Sequence, residues 1–508
     1  MKISLLIISS LFIVNVFAQN TIVLNVDSVG PKINKEIYGH FSEHLGTCIY
    51  EGIYVGKDSE IPNINGYRKD VVEALKEMKV PVLRWPGGCF ADTYHWKDGI
   101  GQQEDRPSIV NVFWGGVTED NSFGTHEFLD FCELIGTEPY LSINVGSGSV
   151  QEAMEWVEYV TSSDESPMTE LRKENGREDP WDVKFWGIGN ETWGCGGEMS
   201  PGYYADLFRN YSAYIRGNGF QKVICGPSAD DTHWTETIMS KLQGKLNLTQ
   251  GVSMHYYTLP TGNWGSKGSS VDFEEDMYFS TLHGTMKIED YINQHLAVML
   301  KYDKEGKVKL IVDEWGTWYD QLPGTKGGFL QQQNTVRDAL VAGINLNIFN
   351  NHADMISMAN IAQIVNVLQS PILTKGKEMV KTPTYYIFKM YNVHQEANLV
   401  PLELQTEDYS YEGESIPAIT ASASEKDGVV SVTITNANPN KTVSINCSLN
   451  KDLKVADAKI LTSNSYTDYN DFGKEEKVSL SDFSTAEVRD KQLNISIPAH
   501  SVLLLQLQ

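Results

Sequence analysis

The sequence predicts an α/β fold, a (β/α)8 TIM barrel with a C-terminal antiparallel β-sandwich domain, and three observations predict it. From about residue 36 to 390, short apolar runs alternate with Gly- or Asn-rich breaks and helical stretches, the pattern of βα units. Eight apolar runs of strand length fall in this region, the number that closes such a barrel. Past about residue 395 the helical period is lost, and alternating runs joined at an Asp427-Gly428 turn replace it.

Taken in order, the first segment reads as an export signal over residues 1–18. Lys2 supplies a positive start, Ile3 to Phe17 are nearly all apolar, and Val16-Phe17-Ala18 has the form of a small-residue cleavage site. Its apolar run of about 15 residues is short of the roughly 20 that span a bilayer. Cleavage near Ala18 would send the chain to a periplasm or the medium, with no membrane partner. Residues 19–35 hold an alternating stretch, Thr21–Val29, expected to add a strand to the sandwich. The barrel is assigned to residues 36–395, with strands at Ile37–Phe41, Val80–Trp85, Pro139–Val145, Val183–Ile188, Lys222–Gly226, Gly251–Tyr256, Val308–Val312 and Leu346–Asn350. Between them, Asp70–Met78 and Gly124–Ile135 carry apolar residues at the i, i+3, i+4 spacing of helices packed on a sheet. The sandwich is assigned to residues 396–508, where Ile419–Glu425 and Val430–Thr435 form a hairpin and Leu493–Ile497 and Val502–Leu507 continue it.

A chain of 508 residues is too long for one ordinary domain, so two to three are expected. Asp and Glu outnumber Lys and Arg by 66 to 41, a net charge of −25 that repels phosphate backbones and anionic lipid. Nucleic acid is therefore not an expected partner. Neutral substrates remain, and 11 Trp offer the flat amphipathic faces on which sugars stack. The cysteines Cys48, Cys89, Cys132, Cys195, Cys225 and Cys447 are widely scattered, so buried, mostly free thiols are expected. No Cys-x-x-Cys or Cys/His cluster marks a zinc site, and no metal or other cofactor is expected.

In a barrel of this type, residues just past the C-terminal ends of the strands line the active site. The fourth candidate strand ends in Trp186-Gly-Ile-Gly-Asn190-Glu191-Thr-Trp193, and the seventh in Ile311-Val-Asp313-Glu314-Trp315-Gly316. Glu191 and Glu314 are thus brought to one barrel mouth. A carboxylate that breaks an apolar run beside Trp costs stability without structural return, which points to catalysis. Two carboxylates about 5–5.5 Å apart are the apparatus of a retaining glycosidase: one attacks the anomeric carbon and the other protonates the leaving oxygen. His40-Phe-Ser-Glu43-His44 also fits the H-x-x-E-H zinc pattern, but that reading requires a continuous helix and a third ligand. An apolar strand running into Leu45-Gly46 supplies neither, so the histidines are read as supports of the barrel mouth.

Five motifs, in order and spacing, carry a resemblance. Tyr38-Gly-His-Phe-Ser-Glu-His-Leu-Gly46, Arg84-Trp-Pro-Gly-Gly88, Tyr94-His-Trp-Lys-Asp-Gly-Ile-Gly101, Gly189-Asn-Glu191 and Asp313-Glu-Trp315 together resemble glycoside hydrolase family 51, the α-L-arabinofuranosidases. The likeness runs from residue 21 to the end. It implies the barrel and sandwich, retaining chemistry without a metal, and a homo-oligomer, often a hexamer. It further implies Glu191 as acid/base and Glu314 as nucleophile. Glu43 matches a position bonding the arabinose hydroxyls, Asn190 one that holds the 2-hydroxyl, and Gln363 a further sugar contact. His255 and Tyr257 match a pair beside the acid/base and the nucleophile, and Arg84 is expected to support the site by pairing with a carboxylate. Trp114 is a candidate stacking surface for the next sugar. Where many members carry an Asn that contacts the sugar, this chain has Cys89, whose thiol would bond weakly and shift fine substrate preference. The expected activity is exo-acting release of terminal arabinofuranosyl groups from arabinan- or arabinoxylan-type oligo- or polysaccharides. A β-xyloside or β-glucan on the same scaffold, or a non-catalytic sugar-binding protein, are the alternatives.

Overall fold

The computed structural model describes residues 20–508; the predicted export signal, residues 1–18, lies outside them. Eight parallel strands close into a barrel: β2 (Gly39–Phe41), β3 (Val82–Trp85), β4 (Glu138–Ile143), β5 (Phe185–Ile188), β6 (Gln221–Ile224), β7 (Gly251–Thr258), β8 (Lys309–Thr317) and β9 (Ile356–Ala362). They follow one another round the ring in chain order, and β9 pairs with β2 to complete it. Both faces of these strands are covered, so they read as largely apolar runs, and every residue of β3 and β5 is buried, the charged Arg84 included. Val82, Tyr140, Phe185, Val223, Ile311 and Met358 fill the barrel interior as one cluster, which leaves the polar residues beyond them at the C-terminal mouth.

The helices form where periodicity and caps agree. In α1 (Lys69–Met78) the buried Val71, Val72, Leu75 and Met78 make one stripe, and Lys79 ends it in a left-handed conformation. In α2 (Thr125–Ile135) the Glu127 carboxylate accepts the Gly124 N–H at 2.9 Å, the Glu half of a capping box, and Gly136 closes the helix.

The eighth strand differs from expectation. Leu346–Asn350 is not a strand but the last turns of α8 (Val336–Asn351, the eighth α-helix among the described residues), and the ring is closed by Ile356–Ala362. The physical reason is burial. Every residue of α8 from Val336 to Asn350 is buried, because its outer side packs against the sandwich strands Ile419–Lys426, Val429–Asn436 and Ser501–Leu507. A helix covered on all sides keeps no polar face, so its apolar run is indistinguishable from a buried strand.

The C-terminal region is two facing sheets. One, of six strands, includes Ile419–Lys426, Val429–Asn436, Ser501–Leu507 and Val455–Leu461; the other, of five, includes Leu402–Gln405, Val443–Leu449 and Gln492–Ile497. The first strand of the described chain, β1 (Asn20–Leu24), lies inside the five-stranded sheet, antiparallel to Leu402–Gln405 and parallel to Val443–Leu449. The sandwich is otherwise antiparallel. Ile22, Leu24, Ile445, Val432, Ile434 and Leu505 fill the space between the sheets.

Candidate active site

The mouth is organised around Glu314 on β8. Parallel pairing of β7 with β8 sets His255 directly beside Glu314 in register, so two strands deliver their side chains to one point. Arg84, at the end of β3 and 1 % exposed, donates from Nη1 to Glu314 Oε1 at 2.7 Å. Its Nη2 donates to Asn190 Oδ1 at 2.5 Å and its Nε to Ser142 Oγ at 3.2 Å. Tyr257 donates to the other oxygen of Glu314 at 2.7 Å. Asp313, next in chain, is held away from this point by Tyr140 and Asn360, each donating at 2.8 Å. Burial alone would push Glu314 up, but His255, Arg84 and the Tyr257 hydroxyl outweigh it and hold the carboxyl below its ordinary range. Burial disfavours a charged His255, yet Glu314 and Glu191 more than offset it and raise its pKa.

Glu191 follows β5 on a loop that turns sharply. Gly189 has φ +88, and a Cβ there would meet Val145 at 2.5 Å, so no other residue fits. Glu191 itself is left-handed, φ 40, a conformation that costs a non-glycine residue about 1 kcal/mol and is tolerated where a site over-determines it. Its Oε1 lies 3.0 Å from His255 Nδ1. Oxygens of Glu191 and Glu314 lie within 4.8 Å of each other. That is the separation of a retaining pair and well short of the roughly 6.5–9.5 Å that an inverting pair leaves for water.

Opposite them sits Glu43, 2 % exposed. Gly88 N and Phe90 N donate to its Oε1 at 3.1 and 3.0 Å, Trp114 Nε1 donates to the same oxygen at 2.9 Å, and Gln363 Nε2 donates to Oε2 at 2.9 Å. Burial pushes the Glu43 carboxyl up to about 7 against these donors. The structure thus brings Glu43, Arg84, Trp114, Asn190, Glu191, His255, Tyr257, Glu314 and Gln363 to one mouth. Gln363 Oε1, buried and without a partner, is left to accept a bond there. Trp114 is tied edge-on to Glu43, and its ring faces Trp318 at 6.5 Å.

The Cys89 expectation is corrected. Cys89 and Cys195 form a disulfide, with Cα atoms 5.4 Å apart across a sequence separation of 106, so Cys89 has no thiol hydrogen to offer a sugar. Cys48, Cys132, Cys225 and Cys447 are free and buried. Sequence spacing missed this bond because the two halves lie on different βα loops that only barrel closure brings together. Also unforeseen were Trp193, Trp264, Trp318 and Tyr291, which with Trp114 line an open cleft of about 590 Å³ leading to the carboxylates.

The zinc pattern dissolves in three dimensions. His40 lies on β2 and packs against Phe388 with its ring tilted by 46°, while Glu43 turns into the mouth and His44 accepts from Trp85 Nε1 at 3.2 Å. Glu191, His255 and Glu314 converge closely enough to grip a cation, but the Arg84 guanidinium already neutralises Glu314.

With this geometry in view, two family models match the chain: the α-L-arabinofuranosidase 1 domain over residues 74–274, and the α-L-arabinofuranosidase C-terminal domain over residues 313–501. An intracellular exo-α-L-arabinofuranosidase of Bacteroides ovatus is 50% identical over 99% of both chains. The chain belongs to the α-L-arabinofuranosidases of glycoside hydrolase family 51. Among solved structures, the family 51 arabinofuranosidase of Xanthomonas axonopodis pv. citri superimposes with a TM-score of 0.93 at 46% identity, covering 96% of this chain and 100% of that one. The α-L-arabinofuranosidase of Thermotoga maritima, in an arabinose complex, follows with 0.84 at 29%, covering 96% and 99%. The name of one relative overturns one expectation. The Bacteroides ovatus arabinofuranosidase, aligned over almost the whole chain, is named intracellular, which contradicts export through residues 1–18. An apolar, positively started N-terminus is a compositional signal, and composition alone does not distinguish a leader from other apolar beginnings.

Proposed function

We propose that this arabinofuranosidase releases terminal α-L-arabinofuranosyl groups from arabinan- or arabinoxylan-type glycans with retention of configuration. The observation that carries the reading is the pair Glu191 and Glu314, with oxygens within 4.8 Å at the end of a narrow pocket. Glu314 is the nucleophile: Arg84 and Tyr257 hold it ionised and aimed. It attacks the anomeric carbon as the glycosidic bond breaks, while Glu191 gives its proton to the departing oxygen. The product is an arabinosyl ester of Glu314. Glu191, now ionised, takes a proton from water, whose oxygen attacks the same carbon and frees Glu314. Glu43, Asn190 and Gln363 bind the sugar hydroxyls, and the aromatic cleft beyond takes the rest of the chain.

The pocket holding the two carboxylates is small, about 40 Å³, and Leu45, Leu330 and Leu368 are among its lining, which supports action on a single terminal sugar. Hydrolysis of an aryl α-L-arabinofuranoside, followed by NMR of the first-formed sugar, tests the proposal. The α-anomer is expected first; β-arabinose, or turnover only of the matching β-xyloside, would sink it. Assembly as a homo-oligomer, a hexamer, is proposed on the family resemblance and is tested by light scattering.

A further inference from the structure

The reaction as written leaves the Cys89–Cys195 disulfide without a role. Resting on the reading of Glu191 as the acid/base, we propose that this disulfide is the positioning element that holds Glu191 for proton transfer to the leaving group.

The loop that carries Glu191 has no helix or strand from Gly189 to Ser200. It is folded on itself: Gly194 N and Gly196 N both donate to the Glu191 carbonyl, at 2.7 and 3.0 Å, and Met199 N donates to Thr192 O at 2.7 Å. Gly194, Gly196 and Gly197 surround Cys195, and glycines impose little order of their own. The carboxylate is held on one side only. Oε1 has His255, whereas Oε2 lies 3.6 Å from the Cys195 sulfur, which in a disulfide has no proton to donate. Asn190, which Arg84 grips, also points its Nδ2 at that sulfur, at 3.9 Å.

The other end of the bond is rigid. Cys89 opens a short 3-10 turn, Cys89–Thr93, on which two other segments converge. Gly88 and Phe90, flanking it, donate their backbone N–H groups to buried Glu43. Asp92, 3 % exposed, accepts the backbone N–H groups of Val145 and Gly146 past β4 at 3.0 and 2.9 Å. The disulfide therefore joins a glycine-rich loop to a turn fixed by the sugar-facing side of the pocket. Both cysteines are only half-buried and line the cleft, so a small reductant reaches them. Reduction would change two things together. The loop loses its one covalent tie, and a sulfur that cannot donate becomes a thiol that can, beside the oxygen that must hand its proton onward.

A general acid matters only when the leaving group needs a proton, and this separates positioning from stability. The enzyme is compared before and after treatment with a trialkylphosphine, which reduces the S–S bond to two thiols and becomes the phosphine oxide with oxygen from water. A Cys89→Ala/Cys195→Ala variant and Glu191→Ala are measured beside it. The readout is kcat/KM on methyl α-L-arabinofuranoside, whose leaving group needs protonation, and on the 4-nitrophenyl glycoside, whose leaving group needs little. The expected result is a loss of about 10–100-fold on the methyl glycoside, part of the ~10²–10⁴ a general acid contributes, with less than about 3-fold on the nitrophenyl one. Oxidised glutathione, exchanging its disulfide for the protein's two thiols, should restore the reduced enzyme. Equal losses on both substrates, or none on either, would overturn the proposal while leaving the Glu191 reading intact. Were Glu191→Ala itself indifferent to the leaving group, the acid/base assignment would fail and take this inference with it.

Discussion

Glu314 receives two donors, Arg84 and Tyr257, and faces a third group, His255, and each can be tested separately. Glu314→Gln should abolish turnover, by more than the ~10²–10⁴ typical of a lost general acid, while arabinose still binds; steady-state kinetics with a binding titration checks both halves. Tyr257→Phe removes one bond to a charged oxygen, worth about 1.5–3 kcal/mol, so kcat/KM should fall roughly 10- to 100-fold. His255 has a pKa raised above its ordinary 6.5, by Glu314 and Glu191 against burial. Its ion pairs therefore stabilise the fold fully below about pH 6.5, and that contribution is lost as the pH rises through the folded value. The melting temperature of the wild type should exceed that of His255→Gln most at about pH 6, and the gap should narrow by about pH 9. A constant gap would mean that His255 stabilises by packing alone. At this scale the sequence is legible: a Glu that interrupts or directly follows an apolar run beside Trp has no structural return, so Glu191 and Glu314 stand out, although β8 runs on past Glu314 to Thr317. Cys195, among glycines, carried no such signal.

At the scale of elements, α8 decides most. Asn347, 1 % exposed on its outer face, accepts at Oδ1 from Ser422 and Thr433 at 2.9 Å and from Tyr391 at 3.1 Å, tying the helix to the sandwich. Asn347→Ala strips these buried donors of their shared acceptor and should cost about 2–4 kcal/mol, read as an earlier thermal transition. Asn347→Asp would keep the acceptor and test whether charge is tolerated there. The amphipathic helices α1 and α2 were legible because one face meets water and the period shows. In α8 both faces are buried, the polar residues bond inward to the sheet, and the period vanishes. The missed strand Ile356–Ala362 is the same lesson inverted, since its Asn360 breaks the apolar run in order to bond Asp313 at the mouth.

For the whole molecule, the six-stranded sheet is the outer wall of a barrel helix as well as half of a sandwich. Removing residues 396–508 would bare the full outer face of α8 and strip β1 of both its partners. Such a truncation should be insoluble or aggregate on expression, whereas an independent barrel would stay soluble and active. The net charge of −25 acts at this scale too, favouring uncharged polymers over anionic ones through long-range repulsion. Activity on neutral arabinan should therefore depend little on ionic strength.

The sequence by itself determined the alternation that makes a barrel, the place of both carboxylates toward the C-terminal side of their barrel strands, and the aromatic surplus from which the cleft is built. These are local properties: period, run length and the residue that ends a run are all written within a dozen positions. Tertiary structure alone decided which segment closes the ring, that Cys89 meets Cys195 across 106 residues, and that Glu43 collects four donors from three separate segments. Those depend on closure of the barrel, which brings loops distant in sequence to one mouth, and no short-range pattern encodes which of them will touch.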